Sequence, residues 1–180
     1  MNLRALTIAS FNLYNLNLPG RRMYTDRNGW SDEEYQRKID WAARQLRSLD
    51  ADVIGLQELW HEEALAAVVL AAGLQDSYDM VLPPNTHGQR IVCAALVRKE
   101  LLVGQPKWIA DFPPAFVLSS GGDDPQSPQI DVHIKGFSRP VLHLAIQPRK
   151  PGPAIQVFVC HFKSKGPTQV YREGWYRADT

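Results

Sequence analysis

The sequence predicts an α/β protein on three observations: a strand, helix and strand in succession at the amino terminus, a second helix directly after them, and then strand-like runs only. The first strand covers Leu6 to Asn12, an alternating apolar run that turns polar at Asn12 and Asn15. A loop with Pro19 and Gly20 and an arginine-rich stretch leads to Trp30. Ser31 and Glu34 then form a capping box, in which each side chain serves an otherwise unpaired backbone amide and so starts a helix. Tyr35, Ile39, Ala42, Leu46 and Leu49 follow at spacings of three and four, an apolar stripe from which Arg37, Lys38, Arg44 and Arg47 largely stand apart. Val53 to Gln57 is a short apolar strand, and its closeness to the helix predicts parallel pairing with the first strand through a right-handed crossover.

The second helix spans His61 to Ala72. Glu62 and Glu63 suit the positive end of its dipole, and Gly73 supplies a left-handed stop. Strands follow at Tyr78 to Leu82 and Ile91 to Val97, divided by the polar turn PPNTHGQR. Beyond the insertion-like loop SSGGDDPQSP come strands at Ile130 to Ile134, Val141 to Ile146 and Ile155 to Cys160, the last two joined through PRKPGP.

A chain of 180 residues with 44% hydrophobic content buries one sizeable core, so a single domain is expected. The net charge of +1 hides an asymmetry: residues 1 to 134 carry 12 Lys+Arg against 17 Asp+Glu, a net of −5, and residues 135 to 180 carry 8 against 2, a net of +6. Such a basic end is either a solvated surface or a footprint for phosphates. The amino terminus alternates like a strand and lacks the sustained apolar stretch of a signal peptide, which predicts a cytoplasmic protein. No apolar run approaches the roughly 20 residues that cross a bilayer, so no membrane partner is expected. Cys93 and Cys160 fall in strand-like runs and read as free thiols, with neither the number nor the spacing of a zinc site.

Three stretches carry chemistry. SFNLYNL ends its strand at Asn12, DVIGLQELW ends its strand at Glu58, and VFVCHFKSKG delivers His161 followed by Lys163, Ser164 and Lys165. A carboxylate and a carboxamide at neighbouring strand ends can converge at the mouth of a sheet and hold a hard cation. Each residue also has a plainer use: Glu58 as a surface or ion-paired group, Asn12 as a turn residue bonded to local backbone, His161 as a structural histidine. The lysines fit a solvated loop as well as a substrate phosphate, and Arg139 in FSRP fits a brace at the sheet edge as well as a phosphate clamp. Trp30, Trp41, Trp60 and Trp108 read as core or rim residues.

In this order SFNLYNL, EEYQRKIDWAARQL, DADVIGLQELW, GFSRPVL and HFKSKG resemble the endonuclease/exonuclease/phosphatase superfamily, the deoxyribonuclease I-like phosphoesterases. The resemblance implies a four-layer α/β/β/α sandwich with a divalent-metal site at one edge. It implies Mg²⁺, or Mn²⁺, on Glu58 with Asn12 beside it, His161 with Asn12 as catalytic groups, and Arg139, Lys163, Ser164 and Lys165 around the phosphate. The expected activity is hydrolysis of a phosphoester, in nucleic acid or in a small molecule. The superfamily's later GDxN motif and final aspartate and histidine have no counterpart here. Residues 1 to 180 therefore read as the amino-terminal portion of one such domain, expected to self-associate or to pair with a carboxyl-terminal half. The alternative is an inactive remnant that binds an anion or a partner. The resemblance supplies no carboxylate partner for His161, because IVCAALV contains no acid.

Overall fold

The computed structural model describes residues 5–24, 28–116, 118–119 and 133–162. Its elements run β1 (Ile8–Leu16), α1 (Asp32–Leu49), β2 (Val53–His61), α2 (Glu62–Ala72), β3 (Tyr78–Val81), β4 (His87–Arg98), β5 (Leu102–Asp111), β6 (Leu118–Ser119), β7 (His133–Ile134), β8 (Gly136–Ile146) and β9 (Ile155–Val159). One sheet has the order β1-β2-β4-β3, with β1 and β2 parallel and the other neighbours antiparallel. A second, antiparallel sheet has the order β5-β8-β9, and among the described residues β6 pairs with β7.

The capping box forms as the sequence predicts: Glu34 N donates to Ser31 Oγ at 3.2 Å, and Ser31 N donates to Glu34 Oε2 at 2.9 Å. Helix α1 buries Ile39, Ala42, Ala43 and Leu46, whereas Leu49, expected on the same stripe, is exposed in the last turn. Helix α2 begins at Glu62 and stops at Gly73, whose φ of 69° is the left-handed conformation that glycine adopts without a Cβ penalty.

The period of two along β4 builds both cores. Val92, Ala94 and Leu96 face α1 and α2, together with Ile54 and Leu56 of β2. Cys93, Ala95 and Val97 face the second sheet and meet Leu142, Leu144 and Ile146 of β8 and Val157 and Val159 of β9. The described residues thus form helices over a sheet over a sheet, three layers of the sandwich. A side chain at Gly55 would place its Cβ 3.0 Å from Val159 Cγ2, so the absence of one lets β2 and β9 approach closely. Both cysteines are free, and burial, with Cys160 nearby, pushes the Cys93 thiol up to about 11. Among the described residues no helix is long and apolar enough to cross a membrane.

Several boundaries differ from the sequence reading for identifiable reasons. Strand β5 is absent from that reading because Gly104 and Pro106 interrupt it. The strand lies at a sheet edge, and its register slips between Val103 and Lys107. Pro140 is accommodated inside β8 by a second irregularity, since Ile109 faces Val141 and Asp111 already faces Gly136. The predicted strand at Ile130 to Ile134 is represented by β7; its first three residues lie outside the described residues, as do Lys163, Ser164 and Lys165.

At the end of the first sheet remote from Glu58, Asp52 ties three strands together. Its Oδ2 accepts from both the backbone N and the hydroxyl of Thr7 at 3.0 Å. Arg98 at the end of β4 reaches Asp50 at 2.7 Å and lies 3.3 Å from Asp52 Oδ1.

Candidate active site

Strands β1 and β2 pair regularly as far as Asn12 and Gln57, then slip so that Leu16 faces Leu59. Three residues of β1 stand against one residue of β2. The slack is taken up in the left-handed region, with φ of 50° at Tyr14, 56° at Asn15 and 63° at Glu58. Three non-glycine residues in that region at one spot is uncommon, and such strain collects at functional sites. The distortion turns the Glu58 carboxylate toward β1. Asn12 Nδ2 donates to Glu58 Oε1 at 3.0 Å and the backbone N of Asn15 donates to Oε2 at 3.0 Å, while Asn12 Oδ1 accepts from Tyr14 N at 2.8 Å. Asn12 therefore orients the carboxylate, and its oxygen accepts from Tyr14 with a second lone pair left over.

Asn15, which the sequence reading passes over, is the hub of this arrangement. It is 5% exposed. Its Oδ1 accepts from Tyr24 Oη and from Trp60 Nε1, each at 3.1 Å, and its carbonyl accepts from Trp30 Nε1 at 2.9 Å. Three aromatic donors thus fix a left-handed residue whose backbone N–H holds Glu58. The signal was the second asparagine of SFNLYNL, since asparagine tolerates positive φ better than most residues.

His161 follows β9 and brings the second sheet into the site. Its Nε2 lies 3.5 Å from Glu58 Oε1, with 13% of the histidine side chain and 18% of the glutamate side chain exposed. The carboxylate beside His161 is thus the one on β2. Burial holds the imidazole below its ordinary value of 6.5, Arg139 pushes it further down, and Glu58 raises it only in part. Arg139 of β8 lines a cavity of about 60 Å³ with His161 and donates from Nη1 to the carbonyl of Phe162 at 3.2 Å. Four of the residues singled out in the sequence, Asn12, Glu58, His161 and Arg139, therefore meet at one edge.

Beside them Asn17, fully buried, shapes the loop after β1. Its Nδ2 donates to the carbonyls of Arg21 and Arg22 at 3.1 and 3.4 Å, and its Oδ1 accepts from Leu18 N at 2.9 Å. The same oxygen meets His61 Nδ1, so the histidine carries its proton on that nitrogen. Burial lowers the His61 pKa below 6.5 despite Glu63, with Arg21 and His87 adding to the depression. Both histidines are thus easier to protonate in the unfolded chain, which binds more protons below about pH 6.5, and stability is lost as pH falls through that value. Thermal melts at about pH 7.5 and 5.5 should show a midpoint several degrees lower at the acid value, and His61→Gln should flatten the difference. A midpoint independent of pH in the parent chain would contradict both depressions.

The Glu58 carboxylate has the chemistry for a hard divalent ion: it is oriented, partly accessible, and retains lone pairs beyond its two hydrogen bonds. A second group, Glu62, Glu63 and His87, has its ligand atoms within 4.8 Å of one another. Glu63 and His87 are exposed and Glu62 half-buried, and the acids stand in the first turn of α2, where the helix dipole already accounts for them.

No family model matches the sequence, and no curated protein matches it. Solved structures do. An endonuclease/exonuclease/phosphatase family protein from Bacteroides thetaiotaomicron superposes with a TM-score of 0.50 at 19% identity, over 85% of this chain and 48% of that one. A mannosyl-6-phosphatase of the same organism gives 0.50 at 19% identity, over 86% and 50%. Truncated TDP2 from Caenorhabditis elegans gives 0.48 at 17% identity, over 85% and 44%. The chain spans about half the length of these structures. Its helix-covered β1-β2-β4-β3 sheet, packed face to face on a second sheet, is the deoxyribonuclease I-like fold that these solved structures share.

Proposed function

We propose that the chain forms the first part of a metal-dependent phosphoester hydrolase of nuclease or phosphatase type. One observation carries this: Glu58, held by Asn12 and by Asn15 from β1, lies 3.5 Å from His161, which arrives from the other sheet. When bound, Mg²⁺ or Mn²⁺ supplies Lewis-acid polarisation of a phosphoryl oxygen. Glu58 would hold the ion, with Asn12 and Asn15 fixing the direction of its oxygens. His161, neutral at pH 7 because its pKa is lowered, is suited to donating a hydrogen bond to the phosphoryl group; its protonated form would serve a leaving oxygen. Arg139, and Lys163, Ser164 and Lys165 in the same reading, would hold phosphate oxygens. The reading keeps the chain in the cytoplasm, where free thiols such as Cys93 and Cys160 persist.

A second reading, an anion-binding module without turnover, is favoured by the single carboxylate, Glu58, that meets His161 among the described residues. Calorimetry separates the two. Mg²⁺ or Mn²⁺ should bind weakly to the 180-residue chain, and Glu58→Gln should abolish that binding. Equal affinity in the two forms removes Glu58 from the metal role and, with it, the hydrolase reading.

A further inference from the structure

Next to the site lies a cleft of about 640 Å³ whose walls include Arg22, Tyr24, Trp60, Arg90, Ser138 and Arg139 and, among the described residues, no aspartate or glutamate. The arginines come from three separate segments: the loop shaped by Asn17, the start of β4 and the start of β8. Elsewhere in the described chain Arg98 pairs with Asp50 and Asp52, and Arg37 with Glu33. Among the described residues, Arg22, Arg90 and Arg139 enter no ion pair. Three like charges drawn into one concavity repel one another and concentrate the field on whatever anion enters.

We propose that this cleft binds a second phosphate group of the substrate, beside the one that reaches Glu58 and His161. Two links make the regions continuous. Arg139 belongs both to the cleft and to the small cavity that holds His161. Trp60, in the cleft wall, donates to Asn15, whose backbone holds Glu58. Guanidinium forks grip phosphate oxygens in pairs, and a volume of this order exceeds what one phosphate fills. The substrate class is therefore an ester with at least two phosphates close together, found in a nucleotide chain and in small bisphosphorylated molecules. This rests on the phosphoester reading for the position of the reacting group.

The test titrates the chain, in Mg²⁺, with thymidine 5′-monophosphate, thymidine 3′,5′-bisphosphate and hexathymidylate, following tryptophan fluorescence with calorimetry as a check. The bisphosphate should bind about tenfold or more tightly than the monophosphate, and Arg90→Gln should remove most of that advantage. Arg90 is exposed, so a melt like that of the parent chain is expected and the comparison does not turn on folding. Equal binding of the two nucleotides, or an advantage that survives Arg90→Gln, overturns the proposal. Hexathymidylate binding more tightly than the bisphosphate upholds it with a nucleotide chain as the source, and equal binding upholds it with a small bisphosphate. Glu58→Gln should leave the advantage intact while ending metal binding. If Glu58→Gln leaves metal binding unchanged, the hydrolase reading falls, and the comparison of the two nucleotides still decides the cleft.

Discussion

On the hydrolase reading, replacing His161 with alanine is expected to lower phosphoester turnover by about 10²- to 10⁴-fold, the contribution of a positioned acid or hydrogen-bond donor. Stability should change little, because the ring stands at the sheet edge beyond the end of β9 and outside both apolar cores. Removing the imidazole also removes the group that meets Glu58 Oε1 at 3.5 Å, so metal affinity should stay the same or rise slightly while turnover falls. The measurement is turnover of an activated phosphodiester at saturating Mn²⁺, alongside metal titration of the same preparation. Turnover within about threefold of the parent would exclude His161 from the chemistry.

Asn15→Ala is expected to be among the most destabilising single changes near the site. It leaves the buried Trp60 N–H without its acceptor, which costs about 1–3 kcal/mol, and it places alanine at a φ of 56°, which costs about 1–2 kcal/mol more. A loss of about 2–5 kcal/mol is large against the roughly 5–15 kcal/mol that holds a domain together. For a chain of this size it should lower the melting midpoint by about 4–20 °C. Asn15→Gly keeps the backbone conformation and loses only the amide, so it should cost about half as much. Equal losses in the two variants would show that the left-handed conformation contributes nothing.

The parts of the molecule that were legible in sequence are those where local chemistry and tertiary structure agree. The capping box fixed the start of α1 to the residue, because Ser31 and Glu34 satisfy each other's backbone without outside help. Asn12, Glu58, His161 and Arg139 were legible because each ends or begins an apolar run, and a strand end is where a sheet can present polar groups. What stayed hidden depends on distant residues. Strand β2 continues through Glu58 to His61 only because β1 bulges beside it. Asn15 gains its importance from Trp60, and 45 positions separate them. Arg22 and Arg90 look like ordinary solvated charges until folding places them with Arg139 in a cleft that no acid among the described residues lines.

The site is assembled across the gap between two sheets. Asn12 and Glu58 ride on one, and Arg139 and His161 on the other. The spacing of reacting groups is therefore set by the thickness of the apolar filling between them, much as the jaws of a caliper are set by what lies in their grip. Gly55 meets Val159 at a close approach in that filling, two positions before the strand position paired with Asn12 and two before His161. A methyl group added at Gly55, neutral in charge, would press the two sheets apart there. The same logic reaches Cys93 and Ala95, whose small side chains face Leu142 and Leu144. Small residues in the core thus help to set how far Glu58 stands from His161.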